Sequence, residues 1–146
     1  TGQSGNKIFN EVKVWNEKMY ADANTSTAVL DAWSEDNPSG KIPRLTSSDP
    51  NENFSRPSTY FIEDGSFFRL KNLQLGYTVP SNITNKIAMQ NLRIYVSGLN
   101  ILTFTNYSGM DPEFVNNSDD NKLQGVDQIN NYPQFKSYTI GVQIEF

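Results

Sequence analysis

From Ser137 to the final residue, Tyr138, Ile140, Val142, Ile144 and Phe146 alternate without a break with Ser137, Thr139, Gly141, Gln143 and Glu145. A period of two is the signature of an extended strand, because successive side chains leave a strand on opposite faces. One face of this run is wholly apolar and carries aromatic ends, and the other holds an amide and an acid. Such a strand belongs between lipid and a watery lumen.

Two earlier runs have the same character. Between Phe67 and Val79, Leu73, Leu75, Tyr77 and Val79 alternate with Asn72, Gln74, Gly76 and Thr78, and Pro80, which has no N–H for a ladder, ends the run. Phe68 and Leu70 are out of phase with Leu73 onward, which predicts a bulge near Lys71 or Asn72. From Leu92 to Phe104, Leu92, Ile94 and Val96 oppose Arg93, Tyr95 and Ser97, with a phase change near Gly98. The three runs are each about 10 to 13 residues, at or slightly above the about 9 to 11 that a tilted strand needs to cross a bilayer. Strands of soluble proteins are typically about half that length. Ser81 to Asn91 makes a fairly short connection, whereas Thr105 to Gln134 makes a long one rich in Asn, Asp and Gly. Barrels of the outer membrane have short periplasmic turns and long external loops, so the order reads down, up, down, with Phe146 in the periplasm.

The first half reads differently. Asn37-Pro38, Ser39-Gly40, Ile42-Pro43, Asp49-Pro50 and Arg56-Pro57 mark 34–59 as a surface loop. Ahead of it, Ile8, Val12, Trp15 and Met19 fall at helical spacing and predict a short amphipathic helix over 8–20, although Ile8, Val12 and Val14 also share a strand face.

Composition removes most other functions. Twelve basic and 16 acidic residues are scattered to a net charge of -4, without a basic stripe for phosphates, so nucleic acid is not an expected partner. With no Cys and no His, thiolate and imidazole chemistry and the usual zinc sites are excluded. No catalytic, cofactor-binding or metal-binding residue is expected. Asp111 and Glu113, flanking Pro112, resemble a carboxylate pair, but a turn role fits them better. The stretch 116–121, with Asp119 and Asp120, lacks the spacing of a calcium loop. Triplets such as Asn24-Thr25-Ser26, Asn82-Ile83-Thr84 and Asn106-Tyr107-Ser108 are expected by chance in a chain this rich in Asn and Ser. Tyr60, Phe61, Phe67, Phe104 and Tyr107 read as an interfacial girdle or, alternatively, as sugar-stacking rings. Thr1 follows neither a Met nor an apolar leader, so either a leader has been removed or an N-terminal part of a longer protein lies upstream.

Several spaced motifs together carry a family resemblance. Glu63-Asp64-Gly65-Ser66-Phe67-Phe68-Arg69-Leu70-Lys71-Asn72-Leu73 and Leu75-Gly76-Tyr77 are followed by Leu92-Arg93-Ile94-Tyr95-Val96 and Asn100-Ile101-Leu102-Thr103-Phe104-Thr105. Then come Tyr107, Gly109 and Asp111-Pro112-Glu113, an external-loop motif, and Tyr132-Pro133 before Tyr138-Thr139-Ile140-Gly141; upstream, Trp33, Asn37-Pro38 and Ile42-Pro43-Arg44 also fit. In this order they resemble the C-terminal region of SusC/RagA-type TonB-linked outer-membrane transporters, over essentially the whole chain. Thr139, Gly141, Ile144 and Phe146 further resemble the terminal assembly signal of such barrels.

The resemblance implies an all-β fold in which antiparallel long strands form the C-terminal segment of a large transmembrane barrel, with a short helix in an external loop region. Residues 1–66 would be mainly external loop and helix, and 67–146 three barrel strands and their connections. It also implies import of glycan or peptide nutrients across the outer membrane of a Gram-negative, Bacteroidetes-like bacterium. The expected partners are the rest of its own barrel and plug, a SusD-type surface lipoprotein, TonB through an N-terminal part that this chain lacks, outer-membrane lipid, and an oligosaccharide or peptide substrate. The reading from a different class is a soluble β-sandwich carbohydrate-binding module, whose strands would be shorter and more numerous.

Overall fold

The computed structural model describes residues 1–19, 24–114 and 124–146. In chain order the elements are β1 (Gly2–Gln3), β2 (Lys7–Asn10), α1 (Glu11–Glu17), β3 (Ile62–Asp64), β4 (Phe67–Thr78), α2 (Ser81–Thr84), β5 (Asn91–Thr105), β6 (Val126–Asp127) and β7 (Ser137–Glu145), with 3₁₀ turns at Thr27–Asp31, Thr59–Phe61 and Asn85–Ile87. The chain divides into two units. One comprises Thr1–Ser4, Phe67–Thr105 and Gln134–Phe146, and the other Gly5–Ser66 and Asn106–Pro133.

The first unit is a sheet of order β1-β4-β5-β7, antiparallel throughout. Its main strands have 12, 15 and 9 residues, which matches the three alternating runs. Pro80 follows β4, and a helical turn over Ser81–Ile87 fills the short connection. Sequence periodicity gave no sign of β1, which holds only Gly2↔Phe68 and Gln3↔Phe67. Two residues are too few for an alternation to show.

The predicted bulge is present, with its extra residue on the other strand. Pairing steps from Leu70↔Leu102 to Asn72↔Leu99, so β5 advances three residues while β4 advances two. Asn100 takes a left-handed φ of 51° there, which an Asn tolerates better than most residues, and its Nδ2 donates to Phe135 O at 3.1 Å. The phase change expected near Gly98 thus falls at Asn100.

Below the bulge the register stacks like on like. Leu75, Val96 and Ile140 form one row across the three strands, and Tyr77, Ile94 and Val142 the next. On the opposite face run Gln74, Ser97 and Thr139, and then Thr78, Arg93 and Gln143. Between those polar rows lies Gly76, Tyr95, Gly141. A Cβ placed on Gly141 would stand 2.2 Å from Tyr95 Cζ, so the tyrosine ring lies directly across the glycine.

The second unit has its own three-stranded sheet, β3-β2-β6, in which β2 pairs antiparallel to β3 and parallel to β6. The helix predicted over 8–20 is shorter and starts later. Ile8 belongs to β2 and is buried, and the chain turns into α1 at Asn10, whose Oδ1 accepts from Lys13 N at 2.9 Å as an N-cap. Trp15 is exposed, while Val14 packs on the core.

That core is built from the segment read as surface loop. Ile42, Phe54 and Phe61 are buried together, with Phe9, Val14, Ala32, Leu45 and Tyr60 packed against them. Asp49 makes this possible: its carboxylate accepts from the amides of Asn53, Phe54 and Ser55 and from Ser55 Oγ, at 2.7 to 3.2 Å, closing a loop that drives Phe54 inward. Its slight desolvation is outweighed by those bonds, which hold its carboxyl below the ordinary carboxylate value.

The seat of Tyr95 on Gly141 yields a direct expectation. Gly141→Val expels the ring and is expected to destabilise the β5–β7 ladder by roughly 1–3 kcal/mol, read as a lower unfolding temperature of the protein in detergent. Combining it with Tyr95→Ala is expected to recover part of that loss.

Candidate functional site

Two surfaces of this chain bear on function, one in each unit. The first is the β4–β5–β7 sheet, whose apolar rows stand in the open: Leu75 is 69% exposed, Ile140 77% and Val142 57%. Above the bulge the exposed pair is Phe68 opposite Phe104. Contiguous apolar area on this scale marks contact with lipid or protein, since water would carry the whole cost of solvating it. Thr139, Gly141 and Ile144 lie on β7, and Phe146 follows it, exposed. The structure puts Ile144 in the apolar series and Thr139 and Gly141 on the polar face. These strands are too long, and their apolar faces too open, for the β-sandwich that sequence left as an alternative. No helix among the described residues is long and apolar enough to cross a membrane, which says nothing of strands.

The second surface surrounds the motif loop that begins after β5. Tyr107 is buried and its OH donates to Asp127 Oδ2 at 2.6 Å, while Asp127 Oδ1 accepts from Asn131 Nδ2 at 3.1 Å. Burial pushes the Tyr107 phenol up, and the bond to Asp127 holds its proton further. Gly109 leaves room for this ring, because a Cβ there would meet Tyr107 Cε1 at 2.3 Å. Asp111 is buried, and its Oδ1 accepts from Glu113 N at 2.9 Å, closing a turn around Pro112.

Ser108 ties the loop to β3. Its N and Oγ donate to the two oxygens of Glu63 at 2.9 and 2.8 Å, and Asn10 Nδ2 donates to Glu63 Oε1 at 3.4 Å and to Ser108 Oγ at 3.2 Å. Lys13 lies 3.6 Å from the same carboxylate and 4.2 Å above the Tyr60 ring. Tyr60 OH in turn donates to Glu17 Oε2 at 2.8 Å. Burial raises both the Tyr60 phenol and the Glu17 carboxyl from their ordinary values. The result is a polar lattice joining β2, α1, β3 and the motif loop. Its members Asn10 and Asp127 escaped sequence reasoning, and Glu63 and Ser108 entered it only as parts of a motif and a triplet, since single polar residues far apart in sequence make no periodic or spaced pattern.

The aromatic girdle needs correction. Phe61, Phe67 and Tyr107 are buried, and Tyr60 is half-buried under Lys13; of the five rings, Phe104 alone stays exposed. Phe61 packs with Phe9, Phe54 and Tyr60 at ring distances of 6.1, 6.2 and 5.0 Å, so it is a core residue. The calcium-loop reading of 116–121 falls outside the described residues.

Long antiparallel strands with one apolar and one polar face define the class: the wall of a β-barrel membrane protein. No protein-family model matches the chain. It is 35% identical, over 127 residues and 85% of its length, to TonB-dependent receptor P3 of Formosa agariphila. It is 30% identical over 91 residues, 61% of its length, to TonB-dependent receptor SusC of Bacteroides thetaiotaomicron. Among solved structures, that of the RagAB peptide transporter superposes with a TM-score of 0.76 at 30% identity, covering 99% of this chain. The chain spans only 12%, 8% and 15% of these proteins' own lengths. The resemblance to SusC/RagA-type TonB-linked outer-membrane transporters therefore holds in sequence and in three dimensions.

Tyr107→Phe leaves the buried Asp127 carboxylate with Asn131 as its remaining donor, which is expected to cost about 1–3 kcal/mol locally. Hydrogen exchange at Phe9 N, bonded to Gly125 O at 2.8 Å beside this pair, is the readout, with faster exchange expected.

Proposed function

We propose that this chain is the closing, C-terminal stretch of a TonB-linked outer-membrane transporter that imports glycan or peptide nutrients in a Gram-negative bacterium. It contributes β4, β5 and β7 as spanning strands of a large barrel, and the connection after β5 as an external loop. Asp111, Pro112 and Glu113 shape a turn of that external loop, and Thr139, Gly141, Ile144 and Phe146 form the assembly signal on the last strand. The rest of the barrel and its plug, a SusD-type surface lipoprotein, TonB and lipid are the partners. The chain performs no catalysis and takes no cofactor.

The observation that carries this reading is the register of β4, β5 and β7. It lines up apolar residues in rows on one face and polar residues in rows on the other, over strands long enough to cross a bilayer. An open sheet edge is not tolerated in hydrocarbon, so the sheet must continue into neighbouring strands until it closes. Similarity to the RagAB peptide transporter and to SusC supports the import role.

Blotting fractions of the source bacterium with an antibody against 105–134 tests this. The expected band sits in the outer membrane and runs several times heavier than 16.5 kDa. A soluble band of about that mass contradicts the proposal.

A further inference from the structure

β1 is two residues long, but its bonding is that of a full antiparallel strand. Gly2 lies opposite Phe68 and Gln3 opposite Phe67. One step upstream, Arg69 N donates to Thr1 O at 2.7 Å and Thr1 N donates to Arg69 O at 2.9 Å. Two residues that exchange both backbone bonds form the hydrogen-bonded pair that recurs along an antiparallel ladder. Pairing runs forward on β4 as it runs backward on β1, so chain upstream of Thr1 is aimed along the remaining edge of β4. Among the described residues no strand covers that edge from Asn72 to Thr78, although β5 pairs with the other side of β4 over the same length. Leu73, Leu75 and Tyr77, which lie on this stretch, are exposed. Where they meet hydrocarbon, the backbone groups of the bare edge need a partner.

We propose that β1 is the tail of a fourth spanning strand, formed by the residues immediately upstream of Thr1 and paired antiparallel with β4 as far as Thr78. A strand from a second copy, or from another protein, would have to displace the chain that Thr1 already directs there. Irregular chain in that place would leave N–H and C=O groups open to lipid. β4 is then an interior strand of the wall. The upstream residues opposite Leu73, Leu75 and Tyr77 present their side chains to the same apolar face. The connection over 4–66 leaves and re-enters the sheet at one end, where β5 also finishes, since Phe67 pairs with Thr105. This rests on the proposal that the chain is the closing stretch of a longer protein, which supplies the upstream residues.

Disulfide cross-linking in outer membranes that carry the full-length protein, with any Cys elsewhere replaced by Ser, tests the pairing. Each step back from Thr1 is a step forward from Arg69, which sets Gln74 opposite the fifth residue before Thr1. Gln74→Cys is combined in turn with a Cys at the third to seventh residues before Thr1. A disulfide forms only between closely opposed positions. The expected result is one maximum at the fifth, or one place beside it if the bulge between β4 and β5 carries into this pair. It is read as a mobility shift that is lost on reduction. Gln74→Cys with Ser97→Cys, opposite one another in β4 and β5, is the control. A cross-linked control without any upstream cross-link, or upstream cross-links only between two molecules, overturns the fourth strand and leaves the membrane wall standing. Failure of the control as well overturns both.

Discussion

Everything in the first unit depends on the lateral pairing of β4, β5 and β7, because in a bilayer the strand N–H and C=O groups have no other partner. Pairing also decides which side chains meet lipid. With a side-chain period of two, a slip of one residue would turn Leu75, Ile140 and Val142 toward the lumen and Gln74, Thr139 and Gln143 toward hydrocarbon. The sheet holds its register through features off the apolar face. Asn100 absorbs the extra residue of β5 and anchors it to Phe135 O, and Tyr95 lies across Gly141 on the neighbouring strand. The glycine of the proposed assembly signal therefore also has a packing reason to be a glycine.

The second unit meets a different constraint. Its segments are rich in Pro, Asn, Asp and Ser and carry few apolar residues, so it is held by a small aromatic core and a dense polar lattice. Asp49 folds one loop to deliver Phe54 to that core. Glu63 draws α1, β2 and the motif loop onto one carboxylate.

The spanning strands were legible in the sequence because alternation over a dozen residues is a strong signal, and the phase slip at Leu70 to Leu73 located the bulge. The short strands were not. β1, β2, β3 and β6 have two to four residues each, and the parallel pairing of β2 with β6 joins residues more than a hundred positions apart. The aromatic residues misled for a related reason: Phe61 and Tyr107 look like surface rings beside polar neighbours until the chain returns to cover them. At the motif loop, the residue types of Tyr107, Gly109 and Asp111 were recognisable. Asp127 as the partner of Tyr107, and Glu63 and Asn10 as the partners of Ser108, became visible only with the fold.

The most direct test is a scan of single cysteines along β7, a segment without native Cys, in the full-length protein with any Cys elsewhere replaced by Ser. Each variant is treated in intact outer membranes with a charged, water-soluble thiol reagent. Reaction is expected at Thr139 and Gln143, on the polar face of β7, and protection at Ile140 and Val142, on its apolar face. Equal labelling at all four positions would contradict it, because a strand wetted on both faces cannot be part of a membrane wall.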